Sequence, residues 1–194
     1  MNSENMDQGG ASLWKEYLKA GIVAILLALF IRTYVAQAFK IPSESMLNTL
    51  KVGDHLLVNK MVYRFWEPER GDIMVFQYPL DPSRDFVKRV VGLSGEVIEM
   101  KNSVIYINGK PLKEPYAIYD NTLTFHGMEN SFPPRKVPQG YLFMMGDNRS
   151  NSQDSRVWGP LDKSLIHGKV FIIHWAWEDN TWRVRWDRLG KLFG

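Results

Sequence analysis

Two short stretches of this sequence hold residue types that can carry covalent chemistry. The first is Ile41-Pro42-Ser43-Glu44-Ser45-Met46. Two hydroxyls two positions apart in an extended segment project to one side, so one can attack while the other donates a hydrogen bond. The second is Asp85-Phe86-Val87-Lys88-Arg89-Val90-Val91-Gly92, where two adjacent cations sit inside a β-prone apolar run. In a strand, Lys88 shares a face with Phe86 and Val90, while Arg89 takes the other face with Val87 and Val91. One face of such a strand is normally core. A lysine pointing into it loses hydration, its pKa falls, and the neutral amine can take a proton from a hydroxyl. Each stretch also has a plainer reading: a linker turn for the first, an edge strand with a solvated or snorkelling lysine for the second.

A third stretch, from Met145 to Arg156, is dense in short hydrogen-bonding side chains. Its two aspartates and two arginines fit a surface loop held by Asx turns, or equally an ion-paired scaffold beneath a site. A Ser-His-Asp triad stays open, because triads assemble from residues distant in sequence; other chemistries find less support. The chain has no cysteine, which excludes disulfides, thiolate metal sites, Fe–S clusters and a cysteine nucleophile. None of the four histidines (55, 126, 167 and 174) has a partner at metal-ligand spacing. There is no Gly-x-Ser-x-Gly elbow and no phosphate-cradling glycine loop. Neither a metal nor an organic cofactor is expected.

A hydroxyl and an amine far apart in sequence must be brought together by rigid elements. After residue 40 no long helical period exists. Short apolar or alternating runs recur instead, at His55–Met61, Asp72–Tyr78, Phe86–Leu93, Glu96–Met100, Val104–Ile107, Tyr141–Met145 and Gly168–Trp177. Turn signals such as Gly53-Asp54, Asp81-Pro82-Ser83 and Gly146-Asp147-Asn148 separate them. Val104 to Ile107 followed by Asn108-Gly109 is a hairpin signature with a type I′ turn. The pattern predicts a mainly β, antiparallel, barrel-like body. Asn121 to Gln139 is polar, proline-rich and off the strand rhythm, so it reads as part of an inserted region running from about 100 to 138.

Residues 1–12 form a polar tail, and residues 13–39 read as a transmembrane anchor. Ala20 to Phe39 as a helix would measure about 30 Å, enough to cross a bilayer core. Trp14, Tyr17 and Tyr34 fit the interfacial aromatic belt, and Arg32 lies where a long side chain can snorkel. Lys15, Lys19, the apolar run and Ala36-Gln37-Ala38 also fit a cleavable secretory signal, and a buried hairpin helix is a third reading. Charges flank the span almost evenly, so they do not orient it. The net charge of +3 is too small an excess to indicate a nucleic-acid partner, whereas 13% aromatics with seven tryptophans suit contact with a lipid bilayer. Trp175, Trp177, Trp182 and Trp186, with Arg183, Arg185 and Arg188, are candidates for such a membrane-contacting surface.

Taken in order, these stretches resemble the type I signal peptidases, membrane-anchored serine proteases that remove signal peptides from exported preproteins. The resemblance rests on the anchor, then Pro42-Ser43-x-Ser45-Met46-x-x-Thr49-Leu50, Gly53-Asp54-x-x-x-Val58-x-Lys60 and Arg70-Gly71-Asp72-Ile73. It continues through Lys88-Arg89-Val90-Val91-Gly92-Leu93, Gly146-Asp147-Asn148-Arg149-x-Asn151-Ser152-x-Asp154-Ser155-Arg156 and Trp158-Gly159. It implies Ser45 as nucleophile and Lys88 as general base of a Ser/Lys dyad, with Ser43 and the Ser45 N–H forming the oxyanion hole. It also implies Ser152 as the hydroxyl that orients the lysine, Asp154 and Arg156 as a supporting pair, and Met46 as a cleft residue. Cleavage would follow small-x-small sequences such as Ala-x-Ala, without cofactor. The chain would cross the plasma membrane once, with residues 40–194 as the catalytic domain on the extracytoplasmic side. Asn48 and Ser94 stand where the family usually has proline, and Glu44 stands where glycine is frequent. Alternation is expected to turn Glu44 away from Lys88. Two other readings remain open: a non-catalytic membrane-tethered peptide-binding module, and another Ser/Lys-dyad protease.

Overall fold

The computed structural model describes residues 8–119, 131–178, 181 and 183–193. The first helix, α1 (Gln8–Phe30), continues as a π-helical turn over Ile31–Val35. Leu13–Val35 is one uninterrupted stretch of 23 residues, long and apolar enough to cross a membrane, and none of it is buried. In hydrocarbon a backbone must satisfy its own polar groups, which a helix does. At 1.5 Å per residue it measures about 35 Å, against a hydrocarbon core of about 30 Å. The helix stops at Val35, not at Phe39 as the apolar run suggested. Ala36–Lys40 is a strand, β1, because every one of its residues pairs with the next strand, from Ala36↔Asn59 to Lys40↔His55. Sheet pairing thus ends the helix before the hydrophobicity does.

The remaining strands are β2 (Asp54–Asn59), β3 (Ile73–Gln77), β4 (Asp85–Gly92), β5 (Val97–Lys101), β6 (Val104–Ile107), β7 (Lys110–Pro111), β8 (Phe132–Lys136), β9 (Tyr141–Met145), β10 (Leu161–Asp162) and β11 (Ile166–Ala176). They form a seven-stranded sheet in the order β1-β2-β11-β3-β4-β9-β10 and a four-stranded sheet in the order β7-β6-β5-β8, with antiparallel pairing throughout. A short helix, α2 (Ser155–Trp158), sits between β9 and β10. The mainly β, antiparallel expectation holds.

The second sheet, residues 97–136, interrupts the first between β4 and β9, close to the inserted region read from the sequence. Its Asn108-Gly109 turn has both φ angles positive, at 50° and 77°, as a type I′ hairpin requires. One expectation fails here. Phe132–Lys136 carries Pro133 and Pro134 yet is a strand, because β8 lies at the sheet edge, where a missing N–H interrupts no second ladder. Residues 120–130, including His126, and Trp182 lie outside the described residues.

The apolar core that matters for the site joins Ile41, Met46 and Leu50 to Leu56, Val58, Ile73, Val75, Val170 and Ile173. Met46 and Leu50 come from the turn just after Ser45. Burying each contributes about 2–3 kcal/mol and pins that turn to the sheet.

Candidate active site

Strand β4 lies between β3 and β9, so both its edges are paired: Met74↔Lys88 on one side, Arg89↔Met145 on the other. Lys88 therefore points into packed protein, and only 4% of it is exposed. Its Nζ lies 2.6 Å from Ser45 Oγ and 5.2 Å from the centre of the Phe86 ring. Burial lowers the Lys88 pKa to about 8, with Asp154 and Asp147 opposing the shift and Arg156 favouring it.

Ser45 is itself buried, and its hydroxyl lies 3.4 Å from that of Ser43, which is exposed. The two hydroxyls meet, but not by strand alternation. The chain bends at Ser43–Glu44 and turns from Ser45 to Thr49, with Leu47 N–H donating to Glu44 O and Leu50 N–H to Met46 O. Pro42 and the buried Ile41 and Met46 on either side favour a fixed bend over a straight strand. Glu44 is exposed. Ser43, Ser45, Met46, Phe86 and Lys88 share a cleft of about 440 Å³, also lined by Phe39, Lys40 and Ile41 from the end of β1.

The loop after β9 packs against the Ser45 turn. Asn148 N–H donates to Ser45 O at 3.1 Å, and its side-chain amide donates to Glu44 O at 3.2 Å. Gly146 lies so close that a Cβ there would stand 2.4 Å from Ser45 O and 2.2 Å from Ser152 Oγ, which no side chain tolerates. Ser152 Oγ donates to Asp154 Oδ2 at 2.8 Å. Asp154 also accepts from Gly146 N–H and, twice, from the Arg156 guanidinium at 2.9 Å. Its carboxyl, fully buried, is held below the ordinary carboxylate range: burial opposes this, and Arg156, Gly146 N–H and Ser152 outweigh it. The structure thus gathers Ser43, Ser45, Met46, Lys88, Ser152, Asp154 and Arg156 around one cleft and its floor, and the ion-paired scaffold reading of the third stretch holds.

The partners of several supporting residues were not legible in the sequence. Arg89 forms a bidentate pair with the buried Asp147, at 2.8 and 2.6 Å, and Asp147 accepts from Thr49 Oγ1 at 2.6 Å. Arg149 is buried and doubly bonded to Glu114 of the second sheet's region, with Tyr119 OH 2.8 Å away. Arg188 pairs with the fully buried Asp54 and donates to Thr49 O at 2.9 Å. Arg188 therefore belongs to an interior clamp and not to a membrane-facing surface. Trp186, 72% exposed, and the partly buried Trp175 and Trp177 form an aromatic cluster beside it.

A hydroxyl beside a buried amine of lowered pKa, in an open cleft, is the arrangement of a serine hydrolase that uses an amine where others use an imidazole. The family model for signal peptidase, peptidase S26, matches residues 14–175. A Synechocystis protein named probable signal peptidase I-1 is 39% identical over 185 residues, covering 92% of this chain and 88% of its own length. Signal peptidase I of Aquifex aeolicus is 38% identical, over 78% of this chain and 80% of the relative. That of Leptolyngbya laminosa is 41% identical, over 82% and 79%. The chain belongs to the signal peptidase I family of serine endopeptidases.

Proposed function

We propose that Ser45 and Lys88 are the nucleophile and general base of a signal-peptide-removing endopeptidase. The observation that carries this is the 2.6 Å contact between Lys88 Nζ and Ser45 Oγ in a site where the lysine is buried. A lysine with a pKa near 8 is neutral in about one molecule in ten at pH 7, roughly 300-fold more often than a solvated lysine. The neutral amine accepts the Ser45 proton as Oγ bonds to the substrate carbonyl carbon. The oxyanion that forms is stabilised by the Ser45 N–H and the Ser43 hydroxyl. The C–N bond then breaks, and the Lys88 ammonium returns the proton to the leaving amine. Water, deprotonated by the same amine, hydrolyses the acyl-enzyme. No metal or cofactor takes part. Ser152 positions the lysine, and Asp154 and Arg156 hold Ser152.

The substrate lies extended in the cleft, where residues two apart face the same way, and this accounts for a small-x-small preference. Residues 40–194 are the catalytic domain, with residues of about 100–138 as an insertion. The apolar helix anchors it in the plasma membrane with the domain on the extracytoplasmic side, beside emerging signal peptides.

The test is incubation of the detergent-solubilised protein and its Ser45→Ala variant with a peptide spanning an Ala-x-Ala site. Mass spectrometry is expected to place the cut after the second alanine, with Ser45→Ala inactive. No cut by the parent protein, with its circular dichroism intact, would sink the proposal in favour of a peptide-binding module.

A further inference from the structure

Two hydrogen bonds from Asn148 bracket the Ser45 backbone. Its own N–H donates to Ser45 O at 3.1 Å, and its side-chain Nδ2 donates to Glu44 O at 3.2 Å. The Glu44 carbonyl and the Ser45 N–H belong to one peptide unit, which is trans and planar, so the two point in opposite directions. Holding the carbonyl on one side therefore aims the N–H at the other. A donor on the carbonyl also polarises the amide and strengthens that N–H as a donor. Among the described residues no acceptor takes the Ser45 N–H, which leaves it for an oxyanion. Resting on the peptidase reading above, we propose that Asn148 is a positioning residue of the oxyanion hole, and that the inserted region, through residues 114–119, holds Asn148 in place.

A half-buried loop side chain keeps one direction only where its backbone is fixed, because a free loop gains entropy by moving. Three contacts from the inserted region fix it. Ile118 forms a parallel bridge with Asn148: Ile118 N–H donates to Asp147 O at 2.8 Å, and Arg149 N–H donates to Ile118 O at 2.9 Å. Glu114 holds the buried Arg149 guanidinium, whose Nε also donates to Gly146 O at 3.0 Å. The Tyr116 ring centre lies 3.9 Å from the Arg89 guanidinium, and Arg89 in turn grips Asp147. The loop is thus held on both sides of Asn148 by the inserted region, while Asn148 itself bonds to the Ser45 turn. Asn148 is not among the residues that line the cleft, so its effect is expected on the chemical step and not on substrate binding.

The experiment compares the full chain with its Asn148→Ala variant, in detergent, on an Ala-x-Ala peptide and on an Ala-x-Ala peptide ending in an aldehyde. Ser45 Oγ bonds to the aldehyde carbon, the C=O π bond opens onto oxygen, and the Ser45 proton passes to Lys88, so the adduct sets an oxyanion in the hole. Asn148→Ala keeps the backbone bond to Ser45 O and loses the bond to Glu44 O. It is expected to lower kcat and to weaken aldehyde binding by about tenfold or more each. KM and the pH midpoint near 8 should stay as in the parent, because neither the cleft nor Lys88 is altered. Glu114→Gln and the milder Tyr119→Phe, which loosen the grip on Arg149, are expected to give the same split, at about threefold or more in at least one of them. Unchanged kcat, a loss confined to KM or to the melting temperature, or unchanged aldehyde affinity in Asn148→Ala would overturn the inference and leave the peptidase standing. A loss in Asn148→Ala with none in a folded Glu114→Gln or Tyr119→Phe would overturn the part given to the inserted region. No Ser45-dependent cleavage by the parent would overturn both readings.

Discussion

Lys88 and Arg89 are sequence neighbours that hold opposite sides of one turn. Lys88 reaches Ser45 at 2.6 Å from one face of β4, and from the other face Arg89 grips Asp147, which in turn accepts from Thr49. The strand's alternation thus delivers a chemical group and a structural one to the same eight-residue element.

Activity should follow the neutral form of Lys88. Its pKa is lowered to about 8, so kcat/KM is expected to rise as pH increases through about 8 and then level off. Lys88→Ala should abolish turnover. A pH profile on an Ala-x-Ala peptide checks this, and a profile flat between pH 6 and pH 9 would remove Lys88 as base.

The same burial should make Lys88 a cost to stability. A base whose pKa is lower in the folded state is under-protonated there, so its penalty is largest below pH 8 and is relieved as pH rises from about 8 towards its unfolded value. Lys88→Met is expected to raise stability at pH 7 by on the order of 1–3 kcal/mol, and the difference should narrow near pH 9. Thermal melts of both proteins at the two pH values measure it; a destabilised Lys88→Met would mean the amine is well solvated.

Ser43 is the exposed member of the hydroxyl pair, and its hydroxyl lies 3.4 Å from that of the buried Ser45. Ser43→Ala is expected to lower kcat by about 10²–10³ with KM little changed, the cost of one oxyanion donor. Steady-state kinetics decide, and a change confined to KM would place Ser43 in binding alone.

Asp54 is fully buried beneath the Ser45 turn, and Arg188 is its closest cation at 2.5 Å. Arg188→Ala leaves that carboxylate poorly compensated, so a loss of about 3–5 kcal/mol is expected, with Asp54→Asn in the same chain recovering part of it. Urea unfolding followed by tryptophan fluorescence reads both. A loss below about 1 kcal/mol would show that Arg185, 3.2 Å from Asp54, suffices.

Much of this was legible in one dimension because its physics is local. Alternation from Asp54 to Asn59 puts Leu56 and Val58 inward, and Asn108-Gly109 dictates a two-residue turn. A lysine inside the apolar run of β4 announces a desolvated amine. The apolar length after Trp14 announces a helix long enough to cross a bilayer. What the sequence left open needed distance. The end of the helix at Val35 depends on β2 pairing with Ala36–Lys40, and proline tolerance in β8 depends on its being an edge. The meeting of Ser43 with Ser45 comes from a bend pinned by buried Met46 and Leu50, not from alternation. Asp54 with Arg188 and Arg149 with Glu114 join charges 134 and 35 residues apart. No local periodicity encodes such pairs. They form because a buried charge must find an opposite one, and only the folded sheet decides which is within reach.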